Sequence, residues 1–66
     1  MKATNGDCRY LCQFRRWAGN FYVSDRCFRR LSNARRYVDR VISERNDLAE
    51  ARVLDQETES YVYYTA

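Results

Sequence analysis

The first pattern along the chain is a regular alternation of apolar and other side chains over residues 8–17. One row consists of Cys8, Tyr10, Cys12 and Phe14, and the other of Arg9, Leu11, Gln13, Arg15 and Trp17. A period of two is typical of a half-buried β-strand. Gly19 and Asn20 follow and suit a two-residue type II′ turn. We therefore predict a hairpin whose second strand runs from about Phe21 to Cys27.

A two-residue turn also fixes which residues of this hairpin face each other. The inward row of the second strand is Phe21, Val23 and Cys27. On the outward side, Trp17 lies opposite Tyr22 in a non-hydrogen-bonded pair, where side chains approach most closely. Arg15 and Arg26 share that side. The hairpin is therefore expected to gather arginines and an aromatic pair on one face.

Residues 31–46 have a helical period instead, with apolar side chains at spacings of three and four. They are Ala34, Tyr37, Val38, Val41 and Ile42. Such a stripe is typical of an amphipathic helix that packs one face on a core. The helix is expected to begin after the N-cap Ser32 and to end near Asn46. Two i,i+4 ion pairs are expected on its exposed face, Arg35–Asp39 and Arg40–Glu44.

The last part of the chain, EARVLDQETESYVYYTA, alternates again and predicts a second hairpin. Ala51 and Val53 face one way and Arg52 and Leu54 the other, and in the final strand Val62 and Tyr64 alternate with Tyr61 and Tyr63. The turn DQETES lacks the glycine that a bulged turn favours. A non-glycine residue there costs about 1 kcal/mol, so we expect a looser loop.

Two hairpins around one helix predict an α+β fold of order ββαββ, with the helix packed on one face of a four-stranded, mostly antiparallel sheet. We expect residues 1–66 to form a single compact domain, because 66 residues bury only a small core. The expected sheet core is Tyr10, Cys12, Phe14, Val23, Val53 and Val62. The opposite, open face would carry Arg9, Arg15, Trp17, Tyr22, Arg26, Arg52, Tyr61 and Tyr63.

Composition adds an uneven distribution of charge. The net charge is +3, but residues 1–45 carry +7 and residues 46–66 carry −4. Eleven of the 12 basic residues are arginine, whose planar fork suits bidentate contact with phosphate or carboxylate. A coding bias explains the preference for arginine over lysine, but it does not explain the clustering of five arginines within residues 14–30.

Candidate catalytic and metal chemistry is sparse. The three cysteines have the spacing C-x3-C-x14-C and there is no histidine, whereas structural zinc uses four such ligands. We therefore expect no metal and no cofactor. Cys8 and Cys12 lie about 13 Å apart on a strand, too far to bridge. Cys12 faces Cys27, but buried, reduced thiols are favoured over a disulfide there. Without histidine or a glycine-rich phosphate motif, we expect no enzyme.

Arginine and aromatic residues of the first hairpin and the helix start are the candidate partner-binding surface. They are Arg15, Arg16, Trp17, Tyr22, Arg26, Arg29, Arg30, Arg35 and Arg36. Sheets that combine aromatic rings with guanidinium groups bind single-stranded nucleic acid, and the same residue types are enriched in protein interfaces. The remaining alternative is a solvated face on which Trp17 and Tyr22 serve only as a cross-strand brace.

The run LSNARRYV followed by EARVLDQETESYVYYTA resembles small phage-encoded anti-CRISPR proteins, some of which have one sheet and one helix with a similar run. The resemblance implies a non-enzymatic phage or mobile-element protein. It would inhibit a host nucleic-acid-processing complex, such as a CRISPR surveillance complex, by steric occlusion. The alternatives are direct nucleic-acid binding by the same surface and a structural homodimer through the open sheet face.

Targeting signals are not visible in the sequence. No apolar run approaches the roughly 20 residues that span a bilayer, and the N-terminal stretch MKATNGDCRY has no apolar region of the kind found in secretory signals. We expect a soluble protein that does not contact membranes and is located in the cytoplasm, which is the host cytoplasm for a phage protein.

Overall fold

The computed structural model describes residues 8–66 and confirms the predicted α+β fold of order ββαββ. Its elements are β1 (Tyr10–Arg16), β2 (Val23–Phe28), α1 (Leu31–Glu44), β3 (Leu48–Asp55) and β4 (Ser60–Thr65). The four strands form a sheet in the order β2-β1-β3-β4, with antiparallel neighbours throughout. Strands β2 and β4 are therefore its two edges.

The helix lies on one face of the sheet and closes a small core. The buried apolar cluster consists of Cys12, Phe14, Ala34, Val38, Leu48, Ala51 and Val53, and around it pack Tyr10, Phe28, Leu31, Tyr37, Val41, Ile42 and Tyr63. The predicted apolar stripe of α1 is thus confirmed as its sheet-facing side. Val23 and Val62 were predicted in the core but are 57% and 39% exposed, because both lie on edge strands that α1 covers less than the central ones.

The first hairpin differs from the prediction in its turn and its pairing. Residues 17–22 form a six-residue loop, in which the Gly19 N–H donates to the Arg16 carbonyl (3.0 Å) without a positive φ. The register at the loop is shifted by two residues, so that Gln13 pairs with Ser24 and not with Arg26, and a bulge opposite β1 between Leu11 and Gln13 shifts it back by one. The predicted Trp17–Tyr22 strand pair is wrong because both residues belong to the loop.

The observed register also changes the cysteine pairing. Cys27 lies opposite Leu11 rather than Cys12, and a disulfide joins it to Cys8, with the two Cα atoms 5.1 Å apart. The Gln56 side chain donates to the Cys8 carbonyl oxygen at 2.9 Å. The expectation that Cys8 and Cys27 are buried reduced thiols is therefore wrong, whereas Cys12 is confirmed as a buried free thiol.

Helix α1 begins two residues earlier than predicted. Arg30 is the N-cap, with extended backbone and no side-chain capping hydrogen bond, so that Ser32 lies inside the first turn. Among residues 8–66, neither Arg35–Asp39 nor Arg40–Glu44 forms an ion pair. Instead, the Tyr63 hydroxyl donates to Asp39 (2.8 Å to the nearer oxygen), and the Arg35 guanidinium lies 4.7 Å from the centre of the Tyr63 ring.

The turn between β3 and β4 is tight, where a looser loop was expected. Glu59 adopts a left-handed φ of 58°, and its N–H donates to the Asp55 carbonyl at 2.7 Å. The buried Asp55 carboxylate accepts the Glu57 N–H at 3.0 Å and the Arg9 Nε and Nη2 at 2.9 and 3.0 Å. These hydrogen bonds hold a turn without glycine in a compact shape and draw Arg9 away from the open face.

A second bulge, at Val62, changes which tyrosines of β4 face the helix. Val53 pairs with Tyr63 and Leu54 with Tyr61, so that Val62 has no partner in the register. Tyr63 packs against the core, whereas Tyr61 and Tyr64 share the other face because they lie beside the outward residues of β3. The prediction was therefore wrong in placing Tyr63 on the open face.

Candidate binding surface

The open face of the sheet, which is the face away from α1, carries a stacked arginine. The Arg52 guanidinium carbon lies 3.7 Å from the centre of the Tyr22 ring and 4.1 Å from that of Tyr61. Its Nε donates to Gln13 Oε1 at 2.7 Å. Cation–π contacts are worth about 0.5–1 kcal/mol each at exposed sites. Arg52 is thus held by side chains from β1, β4 and the loop before β2.

Glu50 is the second centre of the open face. Its carboxylate accepts hydrogen bonds from the Tyr64 hydroxyl and the Arg15 Nε, and these donors, Tyr64 first, lower the pKa of Glu50. Tyr22 lies close enough to lower the pKa of Glu50 in the same direction. Arg15 Nη1 donates to the Gly19 carbonyl at 2.9 Å. Glu50 and Arg15 therefore tie the loop of residues 17–22 to the sheet.

The predicted open face is confirmed for Arg15, Arg52, Tyr22 and Tyr61. It is wrong for Arg9, Arg26 and Tyr63, which contact Asp55, Tyr37 and Asp39 instead. Arg15 and Arg52 are its guanidinium groups within the described residues, and both are engaged by neighbouring side chains. The side chain of Arg15 is only 27% exposed. What this face presents to solvent is chiefly the rings of Tyr61 and Tyr64, which are 57% and 59% exposed.

Exposed arginines gather instead on the side of the molecule formed by β2 and α1. Arg26 of β2 and Arg40 of α1 both lie 5.8 Å from the centre of the Tyr37 ring. Arg36, one turn before Arg40, lines the same depression of about 190 Å³, together with Phe28. The bulge in the first hairpin is what turns Arg26 toward the helix, contrary to the predicted outward position.

We call Arg26, Arg29, Arg30, Arg36 and Arg40 the arginine cluster. All five are exposed, and Arg29 and Arg30 form the link between β2 and α1. Within residues 8–66, no carboxylate lies within ion-pair distance of Arg26, Arg30, Arg36 or Arg40, whereas Arg9, Arg15, Arg16 and Arg45 each have a carboxylate partner. A concentration of cations of this kind creates a positive potential that attracts an anionic partner.

The charges along α1 are the reverse of those that stabilise a helix. It has no acidic side chain in its first turn and no basic one in its last, although carboxylates are favoured at a helix N-terminus and cations at its C-terminus. Arg30 occupies the N-cap, where Ser, Thr, Asp and Asn are preferred. The arrangement gives up stability and adds positive side chains to the positive end of the helix dipole.

An apolar pocket of about 440 Å³ lies on the other side of Tyr37. Phe14, Val41 and Leu48 line it, and Phe21 and Val23, which also line it, are 71% and 57% exposed. Tyr37 lines both this pocket and the arginine-rich depression. The two are therefore ends of one groove between edge strand β2 and helix α1, which we call the β2–α1 groove.

Tyr37 is fixed in the middle of this groove by its hydroxyl, which donates to Asp25 Oδ2 at 2.5 Å. Burial, followed by this hydrogen bond to Asp25, raises the pKa of Tyr37. Its ring packs edge-on to Phe14, with centroids 6.0 Å apart, and against Phe28 at 5.4 Å. The groove thus has a rigid aromatic floor between its apolar and basic ends.

The structure divides the predicted site residues among several places. Four of them belong to the arginine cluster: Arg26, Arg29, Arg30 and Arg36. Two lie on the open face, Arg15 and Tyr22. The others lie elsewhere: Arg16 and Trp17 at the end of β1 and in its loop near Asp47, and Arg35 on the flank of α1 over Tyr63. The sequence interpretation missed Arg40 and the apolar pocket. Arg40 follows Arg36 by four residues, a spacing that places both on one helix face, and that signal was available.

The chain matches no protein-family model, no curated protein and no solved structure. Nor do residues 8–66 contain a group of three or more Cys, Asp or Glu side chains arranged to hold a metal ion. In the part of the chain that the structure describes, no helix has the length and apolar character needed to cross a membrane.

Proposed function

We propose that this chain is a non-enzymatic binding protein that inhibits a host nucleic-acid-processing complex by steric occlusion, and that the arginine cluster makes the contact. The observation that carries the proposal is the concentration of exposed guanidinium groups on one side of a small domain, four of which (Arg26, Arg30, Arg36 and Arg40) have no carboxylate of residues 8–66 within ion-pair distance. The resemblance to anti-CRISPR proteins supplies the class of target. A phage or mobile-element origin fits that class.

The cluster suits a rigid anionic surface. Guanidinium groups form bidentate hydrogen bonds with carboxylates and phosphates, and four of the five arginines keep them available because no carboxylate of residues 8–66 occupies them. A domain with principal extents of 32 × 23 × 16 Å is large enough to block a nucleic-acid channel when it is anchored beside one.

A phage-plating assay tests the proposal. Expression of the chain in a bacterium with active CRISPR immunity should restore plating of a targeted phage, and Arg36→Glu should abolish the effect. The matched control is Arg35→Glu, because the two arginines are adjacent and both exposed, but Arg35 lies over Tyr63, outside the cluster. Circular dichroism should show that both variants fold. Equal loss by both variants, or no restored plating by the parent chain across CRISPR types, would contradict the proposal.

Direct nucleic-acid binding is the second candidate, and the position of Tyr37 favours it. An aromatic ring between Arg26 and Arg40 combines base stacking with phosphate contacts, as in many single-strand binders. This candidate predicts a gel shift whose affinity falls steeply with salt, with a slope that decreases by about one unit for each arginine removed. Absence of a shift at high micromolar protein and low salt would exclude it.

A further inference from the structure

We infer that the β2–α1 groove binds an extended segment of a partner protein, which pairs with the outer edge of β2, places one aromatic side chain in the apolar pocket and directs acidic side chains at the arginine cluster. The inference rests on the proposed function, because it names the part of the target that the domain holds. It commits to a peptide segment, and nucleic acid or a second copy of the chain are outcomes of the test.

The backbone of β2 supplies the first requirement. Within residues 8–66, β2 pairs only with β1, so its other side presents unpaired amide and carbonyl groups. Residues 23–26 of this strand are all exposed. An extended peptide adds readily to such an edge, and a helix beside the edge provides pockets for alternate side chains. Helix α1 occupies that position, since Tyr37 and Val41 line the groove opposite Val23.

The apolar pocket supplies the second requirement. Its volume of about 440 Å³ lies within the roughly 300–1,000 Å³ typical of ligand sites. Phe14 and Leu48 line it from the core, and Phe21 offers a ring that is 71% exposed. An inserted aromatic side chain would cover Phe21 and also Val23, which is 57% exposed. A nucleobase is also flat, but it carries polar groups around its edge, which burial among Phe14, Phe21 and Leu48 would leave without hydrogen-bond partners.

Charge gives the segment a direction. Val23 at the apolar end and Arg26 at the basic end are three residues apart on β2, which corresponds to about 10 Å of extended chain. Acidic residues should therefore begin about three residues from the aromatic anchor. They should gain nothing near the anchor itself. The pocket is lined by Asp25 and Glu44 as well as by Arg16 and Arg45, and both arginines are already ion-paired with Asp47.

The test uses fluorescein-labelled synthetic peptides and fluorescence anisotropy. One peptide carries a single phenylalanine with three glutamates that begin three residues after it, and a second carries the glutamates before it. Controls replace the phenylalanine by alanine or the glutamates by lysines. One of the two orders should bind about tenfold more tightly than its alanine control, as expected for burial of an aromatic side chain. The lysine control should bind more weakly than the glutamate peptide.

Variants of the protein locate the site. Phe21→Ala should weaken binding about tenfold. Trp17→Ala is the matched control, because Trp17 lies in the same loop with a similar exposure of 70% but does not line the pocket; it should leave binding unchanged. Arg36→Glu should weaken binding and reduce its salt dependence. Backbone amide shifts in NMR spectra should change along β2 and not along the opposite edge strand β4.

Several results would overturn the inference. The first is equal affinity for the phenylalanine and alanine peptides, and the second is an equal loss of binding in Phe21→Ala and Trp17→Ala. The third is a concentration-dependent dimer that Phe21→Ala dissociates, because a second copy of the chain would then be the occupant of the groove. Failure of every peptide with an intact plating effect sensitive to Arg36→Glu would leave the proposed function standing and reject only the peptide groove. Peptide binding without any plating effect would reject the proposed function and leave the peptide groove standing.

Discussion

At the scale of single residues, the arginines of this chain have two different uses. Arg9, Arg15 and Arg52 hold strands and loops together through Asp55, Glu50 and two tyrosine rings. Arg26, Arg36 and Arg40 instead line the β2–α1 groove. Sequence could not separate these uses, because the difference depends on which carboxylate lies across the sheet and not on the neighbours along the chain.

The Arg9–Asp55 contact predicts a specific acid sensitivity. The hydrogen bond from Arg9 is the largest cause that lowers the pKa of Asp55 from 3.8 to about 2. A carboxyl group whose pKa is lower in the folded state stabilises the fold above its unfolded pKa and loses that contribution as pH falls. The urea midpoint should therefore decrease between about pH 4 and pH 2. Asp55→Asn should show a smaller decrease over this interval, whatever its stability at neutral pH, and identical slopes would refute the assignment.

At the scale of elements, the helix and the second turn both depart from the residues that would make them most stable. The second turn uses Glu59 at a positive φ, and α1 begins with arginine in place of a capping residue. Glu59 belongs to none of the surfaces described above, whereas the arginine at the start of α1 is part of the arginine cluster. Replacing each by the residue that its conformation prefers should therefore have different effects on binding.

A glycine in the second turn should stabilise the fold without reducing activity. Glu59→Gly relieves the left-handed conformation and should raise the free energy of unfolding by roughly 1 kcal/mol. Urea denaturation measures the gain, and Thr58→Gly is the neighbouring control, since Thr58 has no positive φ and should gain nothing. Plating activity should remain that of the parent chain. A destabilised Glu59→Gly variant would contradict the conformational argument.

Repair of the helix start should separate stability from binding. Arg30→Ser introduces a preferred N-cap and should stabilise the fold by about 1 kcal/mol, while it removes one cation of the cluster and weakens the plating effect. Arg29→Ser places its serine one residue before the N-cap, so it should weaken the plating effect without a gain in the free energy of unfolding. The idea fails if Arg30→Ser gains stability and also keeps full activity.

At the scale of the whole molecule, the order ββαββ was predictable because each element shows its own hydrophobic period. The positions of the surface side chains were not predictable in the same way. Bulges in the β1–β2 and β3–β4 pairs shift the side chains beyond them, and a single inserted residue reverses which face a side chain joins. Arg26 and Tyr63 changed faces for this reason, and the candidate site moved from the open sheet face to the groove beside α1.

The Cys8–Cys27 bridge belongs to this scale, because it restricts the unfolded chain. It closes a loop with a sequence separation of 19, for which chain-entropy arguments give about 3 kcal/mol of stabilisation. Urea unfolding with and without dithiothreitol should show a decrease of this order. The Cys8→Ser/Cys27→Ser variant should match the reduced parent chain and should not respond to dithiothreitol. A parent chain that is insensitive to the reductant would contradict the bridge.

The buried third cysteine has a consequence for how this bridge persists. Removal from water raises the pKa of the Cys12 thiol to about 12, so that almost none of it is thiolate near neutral pH. Because only a thiolate attacks a disulfide, the folded chain cannot scramble its own cystine. An unfolded chain has no such protection, since any two of its three sulfur atoms can then combine. Folding of β1 beneath the helix therefore fixes the Cys8–Cys27 isomer, because it removes from exchange the one thiol that could attack it.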